Sequence, residues 1–538
     1  MPEPRPQAGS TPRWAVFAVL LGVYLSVHGY QSFEVDQAYR LPLLLHRQDA
    51  SLYANDPFVR AFDTFNPHIG YVALLDVISR LVGLSAALAG LYFVMFGVAA
   101  AGIDRLARSV WPAAGSRVGF VAMGLVLLAR AGNIGTNHLF ESMLLDRGMA
   151  FALGWVALGS VVDRPDRGGW LAALAIGLAG LIHPSVGMQL AMLLAATWVV
   201  WGFLRTRTGV EPKRAVVGIG WIVVAMIPCV WLHAGQQGRL LEGLPAEEFR
   251  LLSVFVQSPQ HMLPHLWLTP QWLAWACYPI LAVLALWDRG EVGKGSWPAA
   301  RVRLAAILAV NLVGLAAAWF AIEEVHNLRV TVFQPFRMAT VLRGLALIPL
   351  AGRVLMLWQR GDRLSRVRAT LLAVGLTGDW SLVVVTAVEL TMVATSGVPA
   401  GSLVSMAVLA GSLVFLSRHD TESGHWRLLA GLGVILAYDG LMRRATRQTR
   451  TMPRPHLVLG GPDSLRGREV PLEIGHQGSQ RSLRRLLRLR RPDKQVVRAS
   501  LDEAIAGRGC LGDEEIREGE APAEPSMAPA ARQEPRPP

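Results

Sequence analysis

The chain has 538 residues, 52% of them hydrophobic and only 17% charged, with a mean hydropathy of +0.36 and a formal net charge of +13. Soluble domains carry about 25% charged residues, so a soluble globular class is excluded. The positive charge sits mostly in short loops between apolar runs, where it reports membrane topology and excludes a nucleic-acid partner. The three cysteines, Cys229, Cys277 and Cys510, form no C-x-x-C pattern and read as packing residues.

In chain order, Arg5 and Arg13 precede an apolar run from Trp14 to about Tyr30. No small-x-small cleavage site follows, so the run reads as a retained first span. Further spans are expected near 82–103, 118–130, 148–162, 170–182, 185–204, 215–233, 271–287, 304–322 and 338–358, with more between 367 and 441. The stretch Ala369 to Thr395 carries Asp379 at its middle and is either one span with a buried acid or a tight hairpin of two. The basic run Arg443, Arg444, Arg447 and Arg450 belongs in the cytoplasm, which favours the hairpin. The expected fold is all-α, a polytopic integral membrane protein of about 12 to 14 transmembrane helices.

Four short loops are densely basic: Arg105, Arg108 and Arg117; Arg205, Arg207, Lys213 and Arg214; Arg289, Lys294, Arg301 and Arg303; Arg360, Arg363, Arg366 and Arg368. They fall on one side with the N-terminus, which the positive-inside rule makes cytoplasmic. Three regions follow: a cytoplasmic N-terminus over 1–13, a transmembrane helical domain over 14–441, and a tail over 442–538. The tail is basic from Arg481 to Arg491, acidic from Asp513 to Glu520 and then Pro/Ala/Glu-rich, a composition that cannot bury a core and reads as largely disordered. There is no G-x-x-x-x-G-K-[ST] phosphate loop and no convincing internal repeat, which argues against an ATP-driven pump and a two-half transporter.

Histidines and carboxylates gather on the opposite, outer face. They include His28, His68, His138, His183, His261, Asp36, Glu141 and Asp146, and such groups are what an outward-facing active site needs. The first outer loop, 31–80, is the richest; a second long one spans 234–270. Glu34 and Asp36, two residues apart just past a span, can hold a divalent cation or orient an acceptor hydroxyl. Asp56 before Pro57 is either a site residue or a helix N-cap, and capping is an alternative for Asp36 as well. His183, before Pro184, has the alternative of a helix-ending histidine bonded to backbone carbonyl. His261, with His265 and the acids Glu242, Glu247 and Glu248, would need a further defined ligand to make a zinc site. Trp and Tyr near span ends, such as Trp14, Trp231 and Trp358, suit the interfacial belt.

The Glu34-x-Asp36 pair in a first outer loop resembles the GT-C superfamily of membrane glycosyltransferases. So do Leu52-Tyr53-Ala54-Asn55-Asp56-Pro57, Asn66-Pro67-His68, the segment from Glu141 to Arg147, Ile182-His183-Pro184, the run from Pro259 through His261 to Pro264, and Phe333-Gln334-Pro335-Phe336-Arg337. The resemblance covers roughly 14–350 and implies a GT-C-like bundle using a polyprenyl-phosphate-linked sugar donor at the outer face of an inner (plasma) membrane. It implies Asp36 as general base with Glu34 its partner, Asp56 second in line, and in some members a divalent cation at Asp36 and Glu34. It also implies Arg337 and Arg147 as partners of the lipid phosphate, since a guanidinium matches phosphate oxygens as a fork. Gln334, Glu141, His183 and His261 complete the expected substrate-binding set. Membrane lipids are the expected surroundings. Two other functions fit the same chain: a transporter or flippase of a lipid-linked or polar substrate, which charged residues deep in the spans would favour, and a non-catalytic membrane scaffold. Such charges are few before Asp379.

Overall fold

The structure is a computed structural model that describes residues 13–33, 36–64, 66–136, 138–241, 248, 259–287 and 297–394. The tail, Glu34, Glu242, Glu247 and every span expected beyond 394 lie outside the described residues. Within them the protein is an all-α, multi-pass membrane protein.

Its helices are α1 (Arg13–Val27), α2 (Gln37–Gln48), α3 (Pro57–Thr64), α4 (Ile69–Val82), α5 (Leu84–Val110), α6 (Ser116–Leu128), α7 (Asp146–Asp163), α8 (Pro165–Ile182), α9 (Pro184–Phe203), α10 (Pro212–Leu241), α11 (Thr269–Trp287), α12 (Ala299–Trp319), α13 (Arg337–Arg360), α14 (Arg363–Gly375) and α15 (Asp379–Ala394). Six segments among the described residues are long and apolar enough to cross a membrane: Leu84–Val110, Pro184–Phe203, Pro212–His233, Thr269–Trp287, Ala299–Glu324 and Arg337–Arg360. Helices α1 and α6 are apolar but shorter. The first long loop is itself mostly helical, folded into α2, α3 and α4.

Sequence punctuation sets the helix ends. Pro165 and Pro184 open α8 and α9 at positions where a missing N–H costs nothing. Gly361, at φ +84°, closes α13 in the left-handed conformation that favours glycine. The stretch around Asp379 resolves into the hairpin: α14 ends at Gly375, a turn follows, and α15 starts at Asp379, whose carboxylate accepts the Gly132 N–H at 2.7 Å.

Helix α13 is the axis of the bundle and is almost wholly buried. The basic loops meet at one end. Arg105 on α5 pairs with Asp163 on α7 at 3.0 Å. Arg301 lies over the Trp111 ring at 3.8 Å, and Arg303 donates to the Thr208 carbonyl at 3.0 Å. Arg353 and Arg368 close on Glu389 at 2.7 and 2.8 Å, with Arg353 and Glu389 buried. Two deep charges before Asp379 lie on this helix: Arg343 and Arg353 are both buried within α13. Arg353 is matched by Glu389, whereas Arg343 donates to Asn133 Oδ1 at 2.9 Å and to the Ala129 carbonyl at 3.2 Å.

Candidate functional site

The other end of the bundle gathers the histidines and carboxylates. Its floor is the segment between α6 and α7. The Tyr24 hydroxyl donates to the Glu141 carbonyl at 3.1 Å, and Gln31 and Ser142 bond through backbone and side chain at 2.7 and 2.8 Å. Gln37 is buried at the start of α2. It accepts the Phe33 N–H at 2.8 Å and donates to the Leu144 carbonyl at 3.0 Å. That stitch carries Asp36 to the first turn of α7.

There Arg147 is gripped from two sides. Both its Nε and Nη2 donate to Glu141 at 2.8 Å, and Nη1 donates to Asp36 Oδ2 at 2.6 Å. Next to it Asp146, fully buried, is held by Arg40 Nη2 at 2.9 Å through one oxygen and by His68 Nδ1 at 2.6 Å through the other. Arg40 also donates to the Asp36 carbonyl at 2.9 Å. Burial, partly offset by the Arg147 charge, raises the Glu141 pKa above the ordinary carboxylate value.

His68 reaches Asp146 because α4 packs hard on the corner between α8 and α9. A Cβ on Gly70 would lie 2.0 Å from the Leu181 carbonyl oxygen, so only glycine permits this approach. At the same corner His183 caps α9 by accepting the Val186 N–H at 3.3 Å, and its Nε2 meets the Arg337 guanidinium. His183 thus bonds a backbone N–H, where sequence suggested a carbonyl. Arg337 is placed by the segment before it: the Phe333 carbonyl accepts from both Ser185 Oγ and Gln189 Nε2 at 2.5 Å, and Gln334 turns the chain at φ +47°. Among the described residues no carboxylate reaches Arg337, and its Nε is buried without a partner. His261 donates to the Gly135 carbonyl at 2.6 Å within electrostatic reach of Arg337, Arg147 and Asp36, and burial lowers its pKa.

Of the residues singled out in sequence, Asp36, Glu141, Arg147, His183, His261 and Arg337 therefore come together. Gln334 shapes the turn before Arg337, and its side chain makes no hydrogen bond among the described residues. Asp56 stands apart as an N-cap of α3, accepting the Phe58 and Val59 N–H groups at 2.8 and 3.1 Å. His265 is taken by Glu323 at 3.0 Å. At Asp36, Arg147 holds Oδ2 at 2.6 Å with Arg40 4.0 Å from the same oxygen, and Glu34, the other expected cation ligand, lies outside the described residues.

Sequence reasoning gave no role to Arg40 or Gln37, and it held Asp146 and His68 only as members of the outer-face set of titratable groups, His68 also as one letter of a motif. Its signal was the Asn66-Pro67-His68 step, where Asn66 Oδ1 accepts the His68 N–H at 2.9 Å. Beside the site, Phe336 forms one wall of an apolar groove of about 460 Å³, otherwise lined by Ile134, Trp272, Trp275, Leu315 and Trp319 among others.

No protein-family description matches the chain, and no curated protein does so. Among solved structures, similarity is found to the archaeal oligosaccharyltransferase AglB from Archaeoglobus fulgidus, solved with an inhibitory peptide and a dolichol-phosphate. The identity is 13% and the TM-score 0.33, over 74% of this chain and 60% of that one, so the chain spans less than two thirds of that enzyme. Likeness at this level carries no argument about the reaction.

Proposed function

We propose that the protein transfers a sugar or related group from a polyprenyl-phosphate carrier to an acceptor at the outer face of the membrane. The observation that carries this reading is Arg337. It is a guanidinium at the end of a buried helix, with no carboxylate in contact among the described residues, and it directly follows Phe336, which lines an apolar groove. A lipid phosphate supplies what each part lacks: oxygens for the fork and a chain for the groove. The neighbouring guanidiniums are differently employed, Arg147 by Asp36 and Glu141 and Arg40 by Asp146. They hold the site's frame, and Arg337 takes the leaving phosphate, whose charge grows as the bond to the sugar breaks. Asp36, Glu141, His183 and His261 surround the acceptor side. The outer orientation follows from placing the arginine-lined end in the cytoplasm.

The test is release of polyprenyl phosphate from a panel of synthetic polyprenyl-phosphate hexoses by the purified full chain in lipid nanodiscs. The wild type is expected to release it, and Arg337→Ala to lower kcat/KM by about 100-fold. Equal release by both, or none by the wild type, would overturn the assignment.

A further inference from the structure

We propose that His68 is the base that takes the acceptor's proton, with Asp146 as its positioning residue; this rests on the group-transfer reading above and deepens it. The imidazole has two distinct nitrogens. Nδ1 lies 2.6 Å from Asp146 Oδ2, and a carboxylate oxygen there can only accept, so Nδ1 carries the hydrogen. In the neutral ring that tautomer leaves the lone pair on Nε2, and among the described residues nothing bonds that nitrogen. The side chain is 19% exposed, whereas Asp146 is sealed off at 0%. A buried carboxylate that fixes the tautomer of a reachable imidazole, and would stabilise the imidazolium once it forms, is the arrangement of a general base.

The charged and titratable neighbours fit the role. Arg40 on α2 holds the second Asp146 oxygen at 2.9 Å, which fixes the carboxylate in place. His183, between α8 and α9, and Tyr71 on α4 face the same buried acid, and Arg337 lies beyond His183. His183 thus stands within electrostatic reach of both the base and the leaving-group cation. Asp36 is less suited, since its Oδ2 is committed to Arg147 at 2.6 Å.

The acceptor hydroxyl oxygen forms a bond to the anomeric carbon of the donor. The bond from that carbon to the phosphate oxygen breaks, and its electron pair leaves with the polyprenyl phosphate, facing Arg337. The hydroxyl proton moves to His68 Nε2, giving an imidazolium held by Asp146, and passes later to water or to the released phosphate. No oxidant or metal enters.

The experiment uses the nanodisc assay with the same synthetic donors, together with a direct titration of polyprenyl phosphate. His68→Gln should lower kcat by about 100-fold or more, with the donor KM and polyprenyl-phosphate affinity close to wild type. His68→Ala should regain turnover on adding imidazole. Asp146→Asn should alter the acid limb of the rate-against-pH profile and keep polyprenyl-phosphate binding, which a merely structural acid would not do. Wild-type turnover in His68→Gln, or no imidazole rescue of His68→Ala while its polyprenyl-phosphate binding persists, would overturn the assignment of His68 and leave the group-transfer reading standing. A wild type that neither binds polyprenyl phosphate nor releases it would remove the parent reading, and this one with it.

Discussion

The two ends of the bundle are both built of arginines and carboxylates, yet they use them differently. At the arginine-lined end the cations are consumed internally. Arg353 and Arg368 share Glu389, Arg105 takes Asp163, and Arg301 lies on Trp111. At the opposite end Arg147 and Arg40 are likewise paired, but among the described residues Arg337 meets only a histidine and His68 keeps one nitrogen without a bond. Paired charges within a bundle fix geometry; a guanidinium without a carboxylate partner and an imidazole nitrogen without a bond are the groups available to a ligand.

The largest effect should come from the arginine-lined end, and on stability alone. Removing Glu389 as Glu389→Ala leaves two guanidiniums facing each other in the bundle, at a cost of about 3–5 kcal/mol. Unfolding in mild detergent measures it, and polyprenyl-phosphate affinity of the folded fraction should not move. A fall in affinity would break the contrast between the ends.

Next is Gly70→Ala at the other end. The added methyl meets the Leu181 carbonyl and should cost about 1–3 kcal/mol. Because it pushes α4 from the α8–α9 corner, turnover should fall further than stability explains. Turnover that simply follows the folded fraction would separate His68 from the site.

Asp56→Ala should lose a helix cap worth about 1 kcal/mol and keep its turnover. A collapse of turnover in a stable variant would return Asp56 to the active site.

The smallest effect concerns Glu141. Its pKa is raised by burial, so between the unfolded and folded values the folded chain binds the proton more readily. Relative to Glu141→Gln, the wild type should therefore gain stability as pH is lowered through the range just above the ordinary carboxylate value, and lose it as pH rises. Melting temperatures of the two proteins across pH check the sign.

Six of the expected spans were readable in sequence because an apolar run long enough to cross hydrocarbon has few other uses, and the clustering of Arg105, Arg301 and Arg368 gave their common end. The Asp379 stretch was open between two readings, and the structure decides for two helices by ending α14 at Gly375 and starting α15 at Asp379. Less visible was the helical folding of the first long loop, since α2 and α3 are short and polar and draw their order from packing. The site was legible as a set of residue types on one face. Its pairing was not, because His68 and Asp146 are 78 positions apart and Arg343 and Asn133 are 210 apart. No local pattern announces such partners. Nothing local to Gly70 marks it either, because its need for glycine comes from the Leu181 carbonyl.

The central claim is that the histidine- and carboxylate-lined end holds a lipid phosphate through Arg337. Native mass spectrometry of the full chain in mild detergent, titrated with a polyprenyl phosphate, tests this most directly when wild type, Arg337→Ala and Arg353→Ala are compared. The account predicts saturable binding by the wild type and by folded Arg353→Ala, and its loss in Arg337→Ala. Binding that survives in Arg337→Ala, or that fails to saturate in the wild type, would contradict it.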